Sequence, residues 1–298
     1  MEAGQEKIFR CFILLTARSG IILALYIVNC TLYYIIMMRI PELSPFGGAP
    51  LFFKPISQST QVDIKNLASQ GQPSGTVVMA GEQLAGRGRF ADRKWMTGAP
   101  GENLAFSVFF RLADFPSLSG EVPLRVGLGV ALGLEKALKL EPHIKWPNDV
   151  YLKGRKVAGI LVESRDEFIF IGVGVNCGSK SYPKELKKTA ISLKEAGNSL
   201  PPEKLLLPLL YGMKTALFED LNWKEEVEKR LYAKGETVTF LPGISDGKGA
   251  LRALLVGIQQ DGQLLVQPEG LAGIKAFANG ELQYTPPKKG FFARLGKS

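Results

Sequence analysis

Histidine occurs once in the 298 residues, at His143, and cysteine three times, at Cys11, Cys30 and Cys177. With no CxxC pair and no histidine cluster, the sequence argues against a structural zinc site and against a disulfide framework. A Ser/His or Cys/His catalytic pair would have to use His143 or do without histidine. No internal repeat of solenoid period is present either. What remains for chemistry is lysine, arginine, backbone amides and carboxylates.

The rest of the composition is that of a folded chain, with 46% hydrophobic and 22% charged residues. A length of 298 residues suffices for one large domain or a main domain with a smaller partner. The formal net charge of +9 points to anionic ligands or partners, without separating nucleic acid from phosphates or acidic proteins.

Ser19 to Met38 carry no charge and are flanked by Arg18 and Arg39. The stretch is about long enough to cross a bilayer as a helix, although Asn29 and several Tyr and Thr weaken it. The alternative is a mis-assigned start, because Met37-Met38 lie just before "RIPELSPFGGAP" and would open a cytosolic protein. A cleaved signal peptide fits poorly, as no small-residue cleavage site follows. The expectation is a cytoplasmic protein, with membrane association through residues 19–38 as the alternative.

Residues 41–50 are rich in Pro and Gly and read as a linker. Beyond them, helical spacing runs over Gln61 to Gln70, and "TVVMAGEQ" and "NLAFSVFFRL" read as strands. A helix is expected from near Pro123 to before Pro142, then a hairpin in "DVYLKGRKVAGILVES" and a strand in "EFIFIGVGVNC". Two further helices follow, in "PPEKLLLPLLYGMKTALFEDLN" and "WKEEVEKRLYA". After Lys234, short strands are split by Gly, Asp-Gly and Asn-Gly turns, as in a small antiparallel barrel of roughly fifty residues. The expected division is an extension at 1–50, a mixed α/β unit at 51–232, a barrel at 233–284 and a basic tail at 285–298.

The run "EQLAGRGRFADRKW" at 82–95 interleaves Arg87, Arg89, Arg93 and Lys94 with Gly86 and Gly88, and closes on Trp95. Glycines let backbone approach a ligand, and guanidinium forks match carboxylate and phosphate oxygens. An anionic small molecule is favoured over a solvated loop or a nucleic-acid patch, because glycines interleave the charges and a strand leads in. Downstream, "IKWPNDVYLKGRKVAGILVES" holds Asn148 and Asp149 after a rigid aromatic turn and fixes Lys156 on the return strand of the hairpin. A lysine so held can face charge developing on a phosphate, or simply face solvent. "GLGVALG" at 127–133 falls inside a helix, so helix packing outweighs a dinucleotide fingerprint. His143 reads as a surface residue and Cys177 as a space-filler.

In this order, "GRGR…KW", "KWPNDVYLKGRKVAGILVE" and "GVGVN" resemble the biotin protein ligases, over about Leu51 to Gln283. The resemblance implies an α+β fold: a mixed-sheet catalytic domain of the class II synthetase type, shared with lipoate ligases, plus a small C-terminal SH3-like barrel. It implies synthesis of biotinyl-5′-AMP from biotin and ATP with Mg2+ assisting, then transfer to a lysine of a biotin carboxyl carrier protein of acetyl-CoA carboxylase or a related carboxylase. Lys156 and Arg89 are the implied catalytic residues. Ser59, Thr60, Gln83, Arg87, Gly88, Arg89, Lys156 and Gly159 are implied for biotin. Arg89, Trp95, Asn148, Lys156 and Asn176 are implied for the nucleotide, with no metal ligand among the side chains. Gln61 stands where the family has Asn, one carbon longer, and "FADRKW" is one residue longer than the family's spacing. A homodimer is allowed for and nucleic acid is not expected, since residues 1–50 are too short and apolar for a winged helix of roughly sixty residues. The alternatives are a lipoate-type ligase of the same fold and a non-catalytic module binding biotin or the carrier.

Overall fold

The computed structural model describes residues 45–89, 94–95, 102–114, 120–178, 186, 188–198, 200–243 and 249–283, together with strand backbone at 14–16, 21–28 and 31–38. The basic tail at 285–298 therefore lies outside the described residues.

A mixed sheet is the frame. Its strands are β1 (Leu14–Thr16), β2 (Ile21–Val28), β3 (Thr31–Met38), β4 (Leu51–Ser57), β5 (Val77–Gln83), β8 (Asn103–Arg111), β9 (His143–Lys145), β10 (Asp149–Leu152), β11 (Arg155–Arg165) and β12 (Phe168–Asn176). They lie in the order β1-β2-β3-β4-β5-β8-β12-β11-β10-β9, and only β4 and β5 run parallel. Two short strands, β6 (Gly86–Arg87) and β7 (Lys94–Trp95), pair with each other and carry the glycine loop.

Here one expectation is corrected. The charge-free stretch at 19–38 carries β2 and β3, paired antiparallel from Ile21–Met38 to Val28–Thr31, and not a bilayer-length helix. The cause is composition: "TLYYIIMM" is rich in β-branched and aromatic residues, and an apolar run without 3.6-residue periodicity does not specify a helix. Among the described residues no helix is long and apolar enough to cross a membrane. The expected linker also does more than connect, since Phe46 packs edge-on against Phe110 with ring centroids 5.0 Å apart.

The sheet is covered on both faces, which explains why β8 reads as a nearly unbroken apolar run. Phe109 joins Ile64 and Ala68 of helix α1 (Thr60–Ser69) on one side. Leu104, Phe106, Val108 and Phe110 join α2 (Val122–Leu138) and α3 (Pro202–Phe218) on the other. The small residues of "GLGVALG" serve packing here. A methyl group at Gly212 of α3 would lie 2.1 Å from the Gly129 carbonyl oxygen, so the two helices cross almost backbone to backbone. Arg125 fastens the pair by donating to the Ala216 and Leu217 carbonyls, 2.7 and 3.0 Å away, at the C-terminal end of α3.

The C-terminal strands β13 (Thr237–Pro242), β14 (Leu251–Ile258), β15 (Leu264–Pro268), β16 (Lys275–Phe277) and β17 (Gly280–Gln283) form a second, antiparallel sheet in the order β16-β15-β14-β13-β17. This is compatible with a small SH3-like barrel. Its ties to the larger sheet and its helices include the following two. Trp146 Nε1 donates to the Gly262 carbonyl at 3.0 Å. Glu228, on α4 (Trp223–Lys229), accepts from Lys224, Lys234 and the Ile258 N–H. Burial alone would raise the Glu228 carboxyl, but these three donors outweigh it and hold it down at about 2.

Candidate active site

A cleft opens over β11 and β12 beside the glycine loop. Its lining includes every residue expected to meet biotin: Ser59, Thr60, Gln83, Arg87, Gly88, Arg89, Lys156 and Gly159. The N-terminal turn of α1 presents Thr60, whose N–H and hydroxyl both donate to Gln83 Oε1, at 2.8 and 3.1 Å. Ser107 donates to the Thr60 hydroxyl in turn, at 2.9 Å. One wall is therefore a set of polar groups with fixed orientation.

Gln61 belongs to this wall as well, a position that pattern reasoning set aside for its longer side chain. It is 5% exposed, and its Nε2 donates to Glu163 Oε2 at 2.9 Å. Lys65 pins the same oxygen at 3.0 Å. Of the two ends of the amide only the nitrogen can donate to a carboxylate, so Gln61 Oε1 must point the other way. That atom is buried and has no hydrogen-bond partner among the described residues. The extra carbon is accommodated because Gly172 lies beneath: a methyl group there would be 3.1 Å from Gln61 Cδ.

Trp95 has a similar seat. A methyl group at Gly174 would lie 2.3 Å from Trp95 Cε2, and one at Gly159 3.2 Å from Cζ3. Carbon pairs rest near 3.5–4.0 Å, so the indole fits only because both strands carry glycine there. Its Nε1 is buried without a partner among the described residues. "GVGVN" is thus a flat seat for an aromatic ring, and the alternation of glycine along a strand was the available signal. Of the cations after the loop, Arg93 lies outside the described residues, and Lys94 is described only as backbone in β7.

Lys156 sits on β11, and its backbone is bonded to the next segment: its N–H donates to Thr189 O and its carbonyl accepts from Ile191 N–H. Its ammonium pairs with Asp149 Oδ1 at 2.6 Å, with the two side chains 32% and 20% exposed. Position is therefore rigid at the backbone and exchangeable at the tip. Asn148 and Asn176 act partly as braces. Asn148 donates to Ile160 O at 2.7 Å, and Asn176 spans the Lys156 and Ile191 carbonyls, each at 3.3 Å.

A second, wider cleft of about 590 Å³ meets the first at Gly88, Arg89, Trp95, Asn148 and Lys156. Asn176 lines it, with Lys145, Tyr151 and, from β17, Glu281. Lys145 Nζ donates to Tyr151 Oη at 3.1 Å. Burial foremost, then Asp149, Tyr232 and Glu281, push the Tyr151 phenol well above its ordinary value, so it stays protonated. Arg89 reaches across to the C-terminal sheet and donates to Gly280 O at 3.3 Å.

Two candidates for other chemistry fall away. Burial pushes the Cys177 thiol up to about 12, so no thiolate is available. His143 is exposed, and its ring packs edge-on against Tyr232. Among the described residues no three His, Cys, Asp or Glu side chains come together to hold a metal ion.

Residues 53–177 match the biotin/lipoate A/B protein ligase family. The bifunctional ligase/repressor BirA of Escherichia coli is 33% identical over 258 residues, covering 83% of this chain and 78% of that protein. The biotin–[acetyl-CoA-carboxylase] ligase of Mycobacterium tuberculosis is 31% identical over 205 residues, 65% of this chain and 76% of that one. With the BirA proteins of two Bacillus species the match spans about half of their length, 47%. Among solved structures, the biotin protein ligase from Aquifex aeolicus in complex with biotin and ATP superposes with a TM-score of 0.66 at 31% identity, covering 78% of this chain and 97% of that one.

Proposed function

The chain belongs to the biotin protein ligase family, and from that premise we propose that it is an ATP-dependent ligase that makes biotinyl-5′-AMP and passes biotin to one lysine of a biotin carboxyl carrier protein. In the first step a biotin carboxylate oxygen bonds to the α-phosphorus of ATP. The bond from that phosphorus to the bridging β-phosphate oxygen breaks, and pyrophosphate leaves with the electron pair. In the second step the neutral acceptor amine bonds to the acyl carbon. AMP leaves with the acyl–oxygen electron pair, and the nitrogen releases a proton to solvent.

Two anions must meet in the first step, so the protein's task is to supply cations and oriented donors without a nucleophile of its own. Lys156 exchanges Asp149 for phosphate and carboxylate oxygens, and Arg89 adds a guanidinium at the same junction. Ser59, Thr60, Gln83, Arg87, Gly88 and Gly159 take biotin, while Trp95, Asn148 and Asn176 take the nucleotide with Arg89 and Lys156. Lys156 and Arg89 would share with a magnesium ion bound to ATP the task of offsetting the phosphate charge. The polar wall of Ser59, Thr60, Gln61 and Gln83 suits a cyclic urea better than the dithiolane of lipoate. The carrier belongs to acetyl-CoA carboxylase or a related enzyme, and the reaction is cytoplasmic.

One observation carries the reading: Lys156 stands, with Arg89, at the junction of the polar-walled cleft and the wider one beside it. Purified protein given biotin, ATP and magnesium should exchange labelled pyrophosphate into ATP. Exchange supported by lipoate and not by biotin would replace the assignment.

A further inference from the structure

Around the polar wall of the first cleft, hydrogen-bond donors are committed to one another. The Ser107 hydroxyl donates to the Thr60 hydroxyl, and the Thr60 hydroxyl and N–H both donate to Gln83 Oε1. A hydroxyl has one proton to give, so Ser107 and Thr60 offer no further donor to a ligand. Gln61 differs. It is 5% exposed, and its Oε1 has no partner among the described residues. A buried acceptor left unmet is costly, and most such groups in native proteins have a partner. This one lies over β12, where a methyl group at Gly172 would be 3.2 Å away, and Gln61 and Gly172 both line the cleft.

The orientation of this amide is set from outside the cleft. Alternate residues of a strand share a face, so Glu163 continues on β11 the face of Gly159 and Leu161, which line the cleft. Gly159 pairs with Gly174, Leu161 with Gly172 and Glu163 with Phe170, which makes three successive ranks along β11 and β12. Lys156 Nζ lies at the first rank, 3.0 Å from where a methyl group on Gly159 would be, and Gln61 lies at the second. Two residues of strand span about 7 Å, so a ligand whose carboxylate meets Lys156 extends its far end toward Gln61 Oε1. At the third rank, Glu163 Oε2 accepts from Gln61 Nε2 at 2.9 Å and from Lys65 Nζ at 3.0 Å. Lys65 is itself seated over the Phe170 ring, 5.6 Å from its centroid. Glu163 and Lys65 stand outside the cleft lining. By holding the amide nitrogen they turn the amide oxygen away from themselves, toward the ligand.

We propose that Glu163, pinned by Lys65, is a positioning residue that fixes the hydrogen-bond polarity of the biotin cleft: through Gln61 it presents an acceptor, and so selects a ring that carries an N–H donor. The proposal rests on the ligase reading and adds two residues outside the cleft that set its ligand specificity. The test is calorimetric binding, to the purified full chain, of biotin and of its two cyclic carbamate analogues, in each of which oxygen replaces one ring N–H at nearly unchanged shape. The unsubstituted chain should bind one carbamate at least about ten-fold more weakly than biotin, because an oxygen then faces Gln61 Oε1. Glu163→Leu removes the acceptor for the amide nitrogen and frees Gln61 to turn, so the ratio should fall below about three-fold. Glu163 is 35% exposed, and leucine there spares the core. Glu163→Gln keeps an oxygen for both donors and should hold the ratio, although the ion pair with Lys65 is gone. Gln61→Met, which removes the amide and leaves Glu163 in place, should lose the ratio as Glu163→Leu does. An unchanged ratio in Glu163→Leu would overturn the proposal, as would equal loss in Glu163→Gln and Glu163→Leu, or equal binding of biotin and both carbamates by the unsubstituted chain. No binding of biotin by the unsubstituted chain would instead strike at the ligase reading, and the role of Glu163 would fall with it.

Discussion

Replacing Lys156 by Ala should slow adenylate formation while leaving the fold nearly untouched. The Lys156–Asp149 pair is partly exposed, at 32% and 20%, and such pairs contribute roughly 0–1 kcal/mol to stability. The thermal midpoint should therefore move by only a few degrees. The effect on chemistry has two parts. Loss of a preorganised charged donor to the reacting phosphate costs about 2.7–4 kcal/mol of barrier, or about 10²–10³ in kcat. In addition, Asp149 is left without its partner at the place where the triphosphate must sit. Two like charges about 5 Å apart at an effective dielectric of about 20 repel by roughly 3 kcal/mol, which weakens ATP binding. Steady-state pyrophosphate exchange should thus show a lower kcat together with a raised KM for ATP. Adding Asp149→Ala should recover the KM component and not the kcat component. A single variant with kcat within three-fold of the unsubstituted protein, at an unchanged midpoint, would refute the role given to Lys156.

Gly174→Val should drive Trp95 off its seat, since even a methyl group would lie 2.3 Å from Cε2; tryptophan emission should shift to the red, and the KM for ATP should rise at least ten-fold. Trp146→Phe leaves the Gly262 carbonyl without its donor and should cost about 1–3 kcal/mol in denaturant unfolding. The Glu228 carboxyl, ordinarily near 4.5, is held at about 2 in the folded chain. Its contribution is therefore full above pH 4.5 and lost as pH falls through 2. Glu228→Gln should cost about 1 kcal/mol at neutral pH, after allowance for screening by solvent, and nothing near pH 2.

Much of this architecture is legible in the chain, and the illegible parts have identifiable causes. Helix α2 announces itself by Pro123 near its start and the apolar spacing that follows. Strand β8 shows its two-sided burial as an unbroken apolar run. Lys156, Arg89 and the Trp-Pro-Asn-Asp turn stand out because cations, glycines and a rigid turn occur together. Residues 19–38 mislead because a long apolar run without period fits a bilayer helix as well as paired strands, and the β-branched and aromatic content of β3 is the signal that favours strands. The seat of Trp95 on Gly159 and Gly174, the Asp149 pairing of Lys156 and the orphan Gln61 carbonyl oxygen depend on contacts between segments far apart in the chain. No local pattern encodes them. Gln61 is the sharpest case, because a longer side chain is a departure in the sequence and a fitted one over Gly172.

The central claim is that this cleft joins biotin to AMP. Exchange of labelled pyrophosphate into ATP, measured with and without biotin on the purified full chain, tests it most directly. The account predicts exchange that requires biotin and magnesium and falls by two to three orders of magnitude in Lys156→Ala. Exchange that proceeds equally without biotin, or none at saturating biotin and ATP, would contradict it.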